Sequence, residues 1–167
     1  MKNKFRFPMF IDLQDKEVLV VGAGEVGCRR IQILKEFGAR ITLISPHVPS
    51  EFFSLTKELE WIEDRWNSRY LEDTAYFLIV AATPNKEVNR EIADYCKKNN
   101  ILVNVASEAA LCDFYFPAVV FQENCVIGIT GTGENHQEVK QLRKKIEELS
   151  AYVENRKQRK QISGDSE

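Results

Sequence analysis

Six consecutive residues carry the sharpest chemical signal in the sequence: Gly22-Ala23-Gly24-Glu25-Val26-Gly27, a complete GxGxxG. The run ahead of it, EVLVVG, is nearly continuous in β-branched and aliphatic residues and predicts a strand over Glu17–Val21. The run behind it predicts a helix over Glu25–Phe37, with Ile31, Leu34 and Phe37 facing a sheet and Gly38 as its stop. A glycine triplet between a strand and a helix suits a dinucleotide's pyrophosphate. Gly22 makes the tight turn, Gly24 keeps a side chain away from the phosphates, and Gly27 lets helix and strand approach closely. Free amides at the helix start then face the anion. The alternative is that the glycines serve a compact turn alone.

The ends of the neighbouring strands decide what else the ligand meets. A second strand is expected at Arg40–Ile44, followed by Ser45-Pro46-His47. An acid at that place would grip an NAD ribose, and an arginine would suit a 2′-phosphate; neither follows the strand directly. Ser45 or backbone groups are left for the ribose, and the residues prefer NAD to NADP. His47 reads equally well as an exposed turn residue. Arg29 and Arg30 are within sequence reach of a phosphate. Ala82-Thr83-Pro84 closes a further strand, Tyr76–Ala81, which puts Ala82 and Thr83 at the cofactor crevice. Thr83 is placed to cap the next helix, to contact the nicotinamide half, or both.

These residues need a scaffold, and the rest of the chain supplies its outline. Residues 50–60 read as a short helix or turn, 61–64 as a short strand, Lys86–Lys98 as a helix with Val88, Ile92 and Tyr95 in its stripe, and Ile101–Val105 as a strand. Alternating strands and helices predict an α/β fold, a Rossmann-like parallel sheet covered on both faces. After about residue 112 the pattern changes. AVVF at 118–121 and VIGIT at 126–130 predict an antiparallel pair. Val139, Leu142, Ile146, Leu149 and Val153 stripe a last helix over 137–153. The expected organisation is a nucleotide-binding domain over 1–112, a β-hairpin plus helix over 113–153, and a flexible polar tail over 154–167. The middle unit has too little core of its own and must pack on the sheet domain or on a second subunit.

Composition limits the function classes. The chain has 167 residues, 44% apolar and 29% charged, with a net charge of −2. That balance argues against a basic nucleic-acid-binding surface, and no apolar run is long enough to cross a bilayer. The short basic cluster after Asn155 reads as a solubilising tail. Four cysteines, at 28, 96, 112 and 125, lack metal-ligand spacing, so a metal-free protein of the reduced cytoplasm is expected.

Several stretches together resemble the precorrin-2 dehydrogenase/sirohydrochlorin ferrochelatase family of sirohaem synthesis: FPMFIDL (7–13), VLVVGAGEVG (18–27), GARITLISP (38–46), LIVAAT (78–83), ILVNV (101–105) and CDFYFPAVV (112–120). The resemblance covers about residues 7–150. It implies an NAD-binding sheet domain followed by a small dimerisation region, hence a homodimer. It also implies oxidation of precorrin-2 to sirohydrochlorin by hydride transfer to NAD, and iron insertion in some members. By the same resemblance the backbone of Glu25 and Val26 contacts NAD, and Pro46 and His47 lie on the ribose side. The family's aspartate, associated with catalysis, falls here on Ser107, with Glu108 adjacent. The family loop resembling STGGKSP is replaced by Thr130-Gly131-Thr132-Gly133-Glu134-Asn135-His136. Glu134 brings an acid toward a polycarboxylate substrate. Ser107, Glu108 and His136 are the catalytic candidates, with water as a further proton acceptor. A bifunctional dehydrogenase and ferrochelatase, and a noncatalytic NAD-binding sensor, are the competing functions.

Overall fold

The computed structural model describes residues 6–72, 75–133 and 135–164, with side chains described up to residue 150. Two compact units are present: Ile11–Tyr115, and the described parts of Met1–Phe10 with Phe116–Glu167.

The first unit is built around β1 (Glu17–Val21). Its valines and leucine are 0–1% exposed, because the strand is covered on both faces and paired on both edges. α1 (Glu25–Glu36) crosses to β2 (Arg40–Ile44), which pairs in parallel with β1 on one side. A 3₁₀ segment, Ser50–Glu58, leads to β3 (Glu60–Ile62) outside β2. The chain then returns through the 3₁₀ turn Ser68–Leu71 to β4 (Leu78–Ala81), which pairs with the other side of β1. α2 (Lys86–Asn99) crosses to β5 (Leu102–Val105) on the outer edge of β4. The order β3-β2-β1-β4-β5 is the doubly wound parallel sheet expected from the sequence. Its strand order reverses direction between β1 and β4. The crevice outside the carboxyl ends there is where such sheets bind ligands.

Successive residues of β1 serve opposite faces. Leu19 and Val21 join Ile79, Ala81, Val103 and Val105 beneath Ile92, Ala93 and Cys96 of α2. On α1, Cys28, Ile31 and Leu34 are buried, while Phe37 is the half-buried C-cap rather than part of the stripe. The α2 stripe also differs from expectation. Val88 and Tyr95 lie at the core's margin, and the fully buried positions are Asn89, Ile92, Ala93 and Cys96. Burial, and secondarily Asp113, pushes the Cys96 thiol up to about 12, so it stays protonated.

The outer edge of β5 is closed by residues 112–114. Asp113 N–H donates to the Val103 carbonyl (2.9 Å), and the Asp113 carboxylate accepts from Val103 N–H (3.0 Å). Val105 N–H donates to Cys112 Sγ (3.1 Å), and Asn104 Nδ2 donates to the Phe114 carbonyl (2.7 Å). Side chains thus satisfy an edge that would otherwise offer bare amides to another strand.

In the second unit, β6 (Ala118–Gln122) and β7 (Cys125–Ile129) form an antiparallel hairpin across a two-residue turn at Glu123-Asn124. α3 spans His136–Gly164, past the Val153 expected for its end. The polar segment NRKQRKQ is thus helical rather than an irregular tail. Its lysines, arginines and glutamines are good helix formers, and no proline or glycine intervenes before Gly164. Asn135 caps the helix, accepting from the N–H groups of Gln137 (3.1 Å) and Glu138 (3.4 Å) and donating to the Glu138 carboxylate (2.9 Å). Along the stripe Val139 and Ile146 are half-buried, whereas Leu142 and Leu149 are exposed. Among the described residues no helix is long and apolar enough to cross a membrane.

Removing the Asp113 carboxylate strips the acceptor from Val103 N–H. Asp113→Ala should lower the unfolding free energy by about 1–2 kcal/mol in urea titration, and Asp113→Asn, which keeps an acceptor, should lower it less. Equal stability of Asp113→Ala and the parent would show that the edge needs no such cover.

Candidate cofactor and substrate site

The glycine turn leaves β1 at the switch point. Gly22 sits at φ +100, a conformation that side chains rarely adopt, and a Cβ there would stand 2.6 Å from the Ala82 carbonyl oxygen. A Cβ on Gly27 would collide with the Gly22 carbonyl oxygen. Both glycines are therefore required by the packing of α1 against the ends of β1 and β4. Gly24 is different. It is the N-cap of α1 at φ −66, makes no side-chain cap, and a Cβ placed on it would meet nothing within 4 Å. The fold does not need a glycine at this position; the space in front of it is open.

That space faces amides. The helical ladder begins with Cys28 N–H bonded to the Gly24 carbonyl (2.9 Å), so the N–H groups of Glu25, Val26 and Gly27 precede it. The positive end of the helix dipole adds to their pull on an anion. Glu25 opposes that pull, but its carboxylate is held by Arg29 four residues on (2.5 Å). The donor set, the open cradle and the helix end fit a dinucleotide pyrophosphate. Arg30 is half-buried, and burial lowers its pKa, with Cys112 acting in the opposite direction.

Ser45 fixes the turn from the β2 side. It is buried, its Oγ accepts from Ala23 N–H (3.3 Å), and its hydroxyl donates to the His47 carbonyl (2.7 Å). Its own carbonyl accepts from the Trp61 indole (3.0 Å). The hydroxyl thus holds the turn, and the exposed groups at this strand end are Pro46 and His47.

On the other side, the ends of β4 and β5 are joined by a residue that the sequence reading passed over. Asn89 of α2 is fully buried. Its Oδ1 accepts from Thr83 N–H (3.2 Å) and from the Thr83 hydroxyl (2.7 Å). Its Nδ2 donates to the Thr83 carbonyl (2.9 Å) and to Ser107 Oγ (3.1 Å). The signal was present: Asn89 stands three and four residues before Ile92 and Ala93, on the buried face. Thr83 is not the cap of α2. Asn85 is, accepting from Glu87 N–H (2.9 Å) and Val88 N–H (3.3 Å). Thr83 Oγ1 accepts from Asn85 N–H (3.2 Å). Glu108 is half-buried beside exposed Ser107, and its carboxylate accepts from the Arg90 guanidinium (3.0 Å). Ser107, Glu108, Ala82 and Thr83 therefore gather at the carboxyl rim of the sheet unit. His136 is the first residue of α3 in the other unit and is exposed. Glu134 lies outside the described residues.

A family model described as "Putative NAD(P)-binding" matches residues 9–118. The chain belongs to that family. It is 36% identical over 148 residues to the probable multifunctional siroheme biosynthesis protein HemA of Ruminiclostridium josui, covering 86% of this chain and 28% of that protein. It is 36% identical over 145 residues to the siroheme synthase of Psychrobacter cryohalolentis, covering 86% of this chain and 27% of that one. Its match thus spans less than a third of these curated relatives. Among solved structures, "SirC, precorrin-2 dehydrogenase" superposes with a TM-score of 0.70 at 27% identity, over 86% of this chain and 71% of that one. The family resemblance read from the sequence motifs is borne out, as is the parallel sheet with its added hairpin.

Membership of an NAD(P)-binding family makes the open space at Gly24 the position to test. Gly24→Leu should leave the unfolding free energy of the free protein within about 0.5 kcal/mol and weaken NAD binding at least about tenfold in calorimetric titration. Gly22→Ala should instead destabilise the fold, by at least about 1–3 kcal/mol. Unchanged NAD affinity in Gly24→Leu would place the phosphates elsewhere.

Proposed function

We propose that the protein is an NAD-dependent dehydrogenase that oxidises precorrin-2 to sirohydrochlorin. The observation that carries this reading is the unobstructed amide cradle at Gly24–Gly27, set at the switch point of a sheet whose relatives include siroheme synthases and a precorrin-2 dehydrogenase. NAD, when bound, accepts the hydride that the macrocycle loses. The chain's own work is positional. Amides of residues 25–27 hold the pyrophosphate, Pro46 and His47 border the ribose, and Ala82 and Thr83 line the nicotinamide half. Asn89 holds the Thr83 and Ser107 segments at fixed separation, which keeps the two reactants in register.

Oxidation also releases a proton from the macrocycle. In this proposal Glu108 receives it, because it stands on the same rim as Ser107 and Thr83. Arg90 orients its carboxylate. Anaerobic mixing of the protein with precorrin-2 and NAD should produce NADH absorbance above an enzyme-free control. Glu108→Gln should lower kcat about 100-fold with NAD affinity unchanged. No NADH from the parent protein would reject the dehydrogenase, and NAD binding without turnover would favour a sensor. Full turnover by Glu108→Gln would move the proton's destination to His136 or water.

The same reading takes the hairpin and α3 as a homodimerisation region, acting in the reduced cytoplasm without a membrane or nucleic-acid partner. Phe121, Leu142 and Leu149 are 47%, 48% and 63% exposed, which is unusual for large apolar side chains grouped in one small unit. Sedimentation should give twice the chain mass, and Leu142→Glu with Leu149→Glu should give the monomer. A monomer at every concentration of the parent protein would rule out a stable dimer.

A further inference from the structure

We infer that Ser107 is a hydrogen-bond donor to a carboxylate of the acidic substrate, and not the proton acceptor of the reaction. The inference rests on the precorrin-2 reading and names how that substrate is gripped. It follows from the orientation of Asn89. An amide side chain can usually be turned over without visible consequence, but here its neighbours fix it. Thr83 N–H can only donate, so the Asn89 atom facing it (3.2 Å) is the oxygen. The Thr83 carbonyl can only accept, so the atom facing that (2.9 Å) is the nitrogen. Full burial of Asn89 leaves no water to alter the assignment.

The Asn89 nitrogen is also the atom 3.1 Å from Ser107 Oγ. A nitrogen of that kind has hydrogens and no lone pair to offer, so Ser107 must accept. A hydroxyl carries one hydrogen, and in this bond it is not used. Among the described residues no other hydrogen-bond partner faces Ser107, and the residue is exposed at the carboxyl rim of the sheet. The hydrogen is therefore free to be donated to a molecule bound at that rim. Ser107 lies past β5, one strand further from the glycine turn than Ala82 and Thr83, which border the cofactor in the proposed reading. The molecule in front of it is the second reactant. A neutral hydroxyl whose one hydrogen is unspent suits an anionic oxygen, and a polycarboxylate macrocycle presents such oxygens around its rim. An aspartate at this position, as the resemblance leads one to expect, would accept from Asn89 equally well but would repel a carboxylate.

The test uses the full chain as Ser107→Ala and Ser107→Thr. NAD affinity, and kcat and KM for precorrin-2 across pH, are measured without air. Ser107→Ala should raise KM about tenfold, the loss of one hydrogen bond to a charged group, with NAD affinity, kcat and the shape of the pH profile unchanged. Ser107→Thr, which keeps a hydroxyl, should restore KM to within about twofold of the parent. An unchanged KM in Ser107→Ala would overturn the inference. So would a fall in kcat with loss of one limb of the pH profile, which would make Ser107 part of proton transfer. If the parent forms no NADH, the dehydrogenase reading fails separately, and direct titration with sirohydrochlorin decides. Binding weakened about tenfold by Ser107→Ala supports the donor role, and equal or absent binding refutes it.

Discussion

Everything at the candidate site depends on one close approach, that of the first turn of α1 to the ends of β1 and β4. With a side chain at Gly22 or Gly27 the helix would be pushed away from the sheet by the Ala82 or the Gly22 carbonyl. The first amides of α1 would then no longer stand over the crevice. The same approach explains why the turn is tied so heavily. Gly22 N–H joins the Ile44 carbonyl, Ala23 N–H joins Ser45, and the Cys28 thiol reaches back to the Ala23 carbonyl. Helix amides without a protein acceptor are answered by water or by a ligand, and this approach holds those of α1 at one fixed place.

The second organising feature is polar and buried. Asn89 uses all four hydrogen-bonding positions of its amide, which is the condition under which a buried polar side chain adds specificity rather than cost. It joins the segment after β4 to the segment after β5, tying two neighbouring stretches of the sheet's carboxyl rim together. Catalysis by positioning requires such a rim.

Most of the sheet was legible from composition and spacing. β1 and β2 were bounded correctly because buried parallel strands are continuous apolar runs ended by glycine or proline. The glycine turn was legible because backbone geometry selects glycine at positions 22 and 27. Polar positioning residues were not. Asn89 breaks no rule of an amphipathic helix when read as one polar letter, and its burial comes from tertiary contact. The part of Ser45 in holding Ala23 was not legible, because it depends on a neighbour 22 residues away. The end of α3 was misplaced because a charged, striped segment without proline or glycine reads as well for a polar tail as for a helix. The closure of the β5 edge by Asp113 and Cys112 left no periodic trace at all.

Amide hydrogen–deuterium exchange, resolved by residue with and without NAD, tests the central claim most directly. Saturating NAD should slow exchange most strongly at the backbone amides of Glu25, Val26 and Gly27, with smaller protection at Thr83. Protection centred on another part of the chain, with those three amides unaffected, would contradict the account.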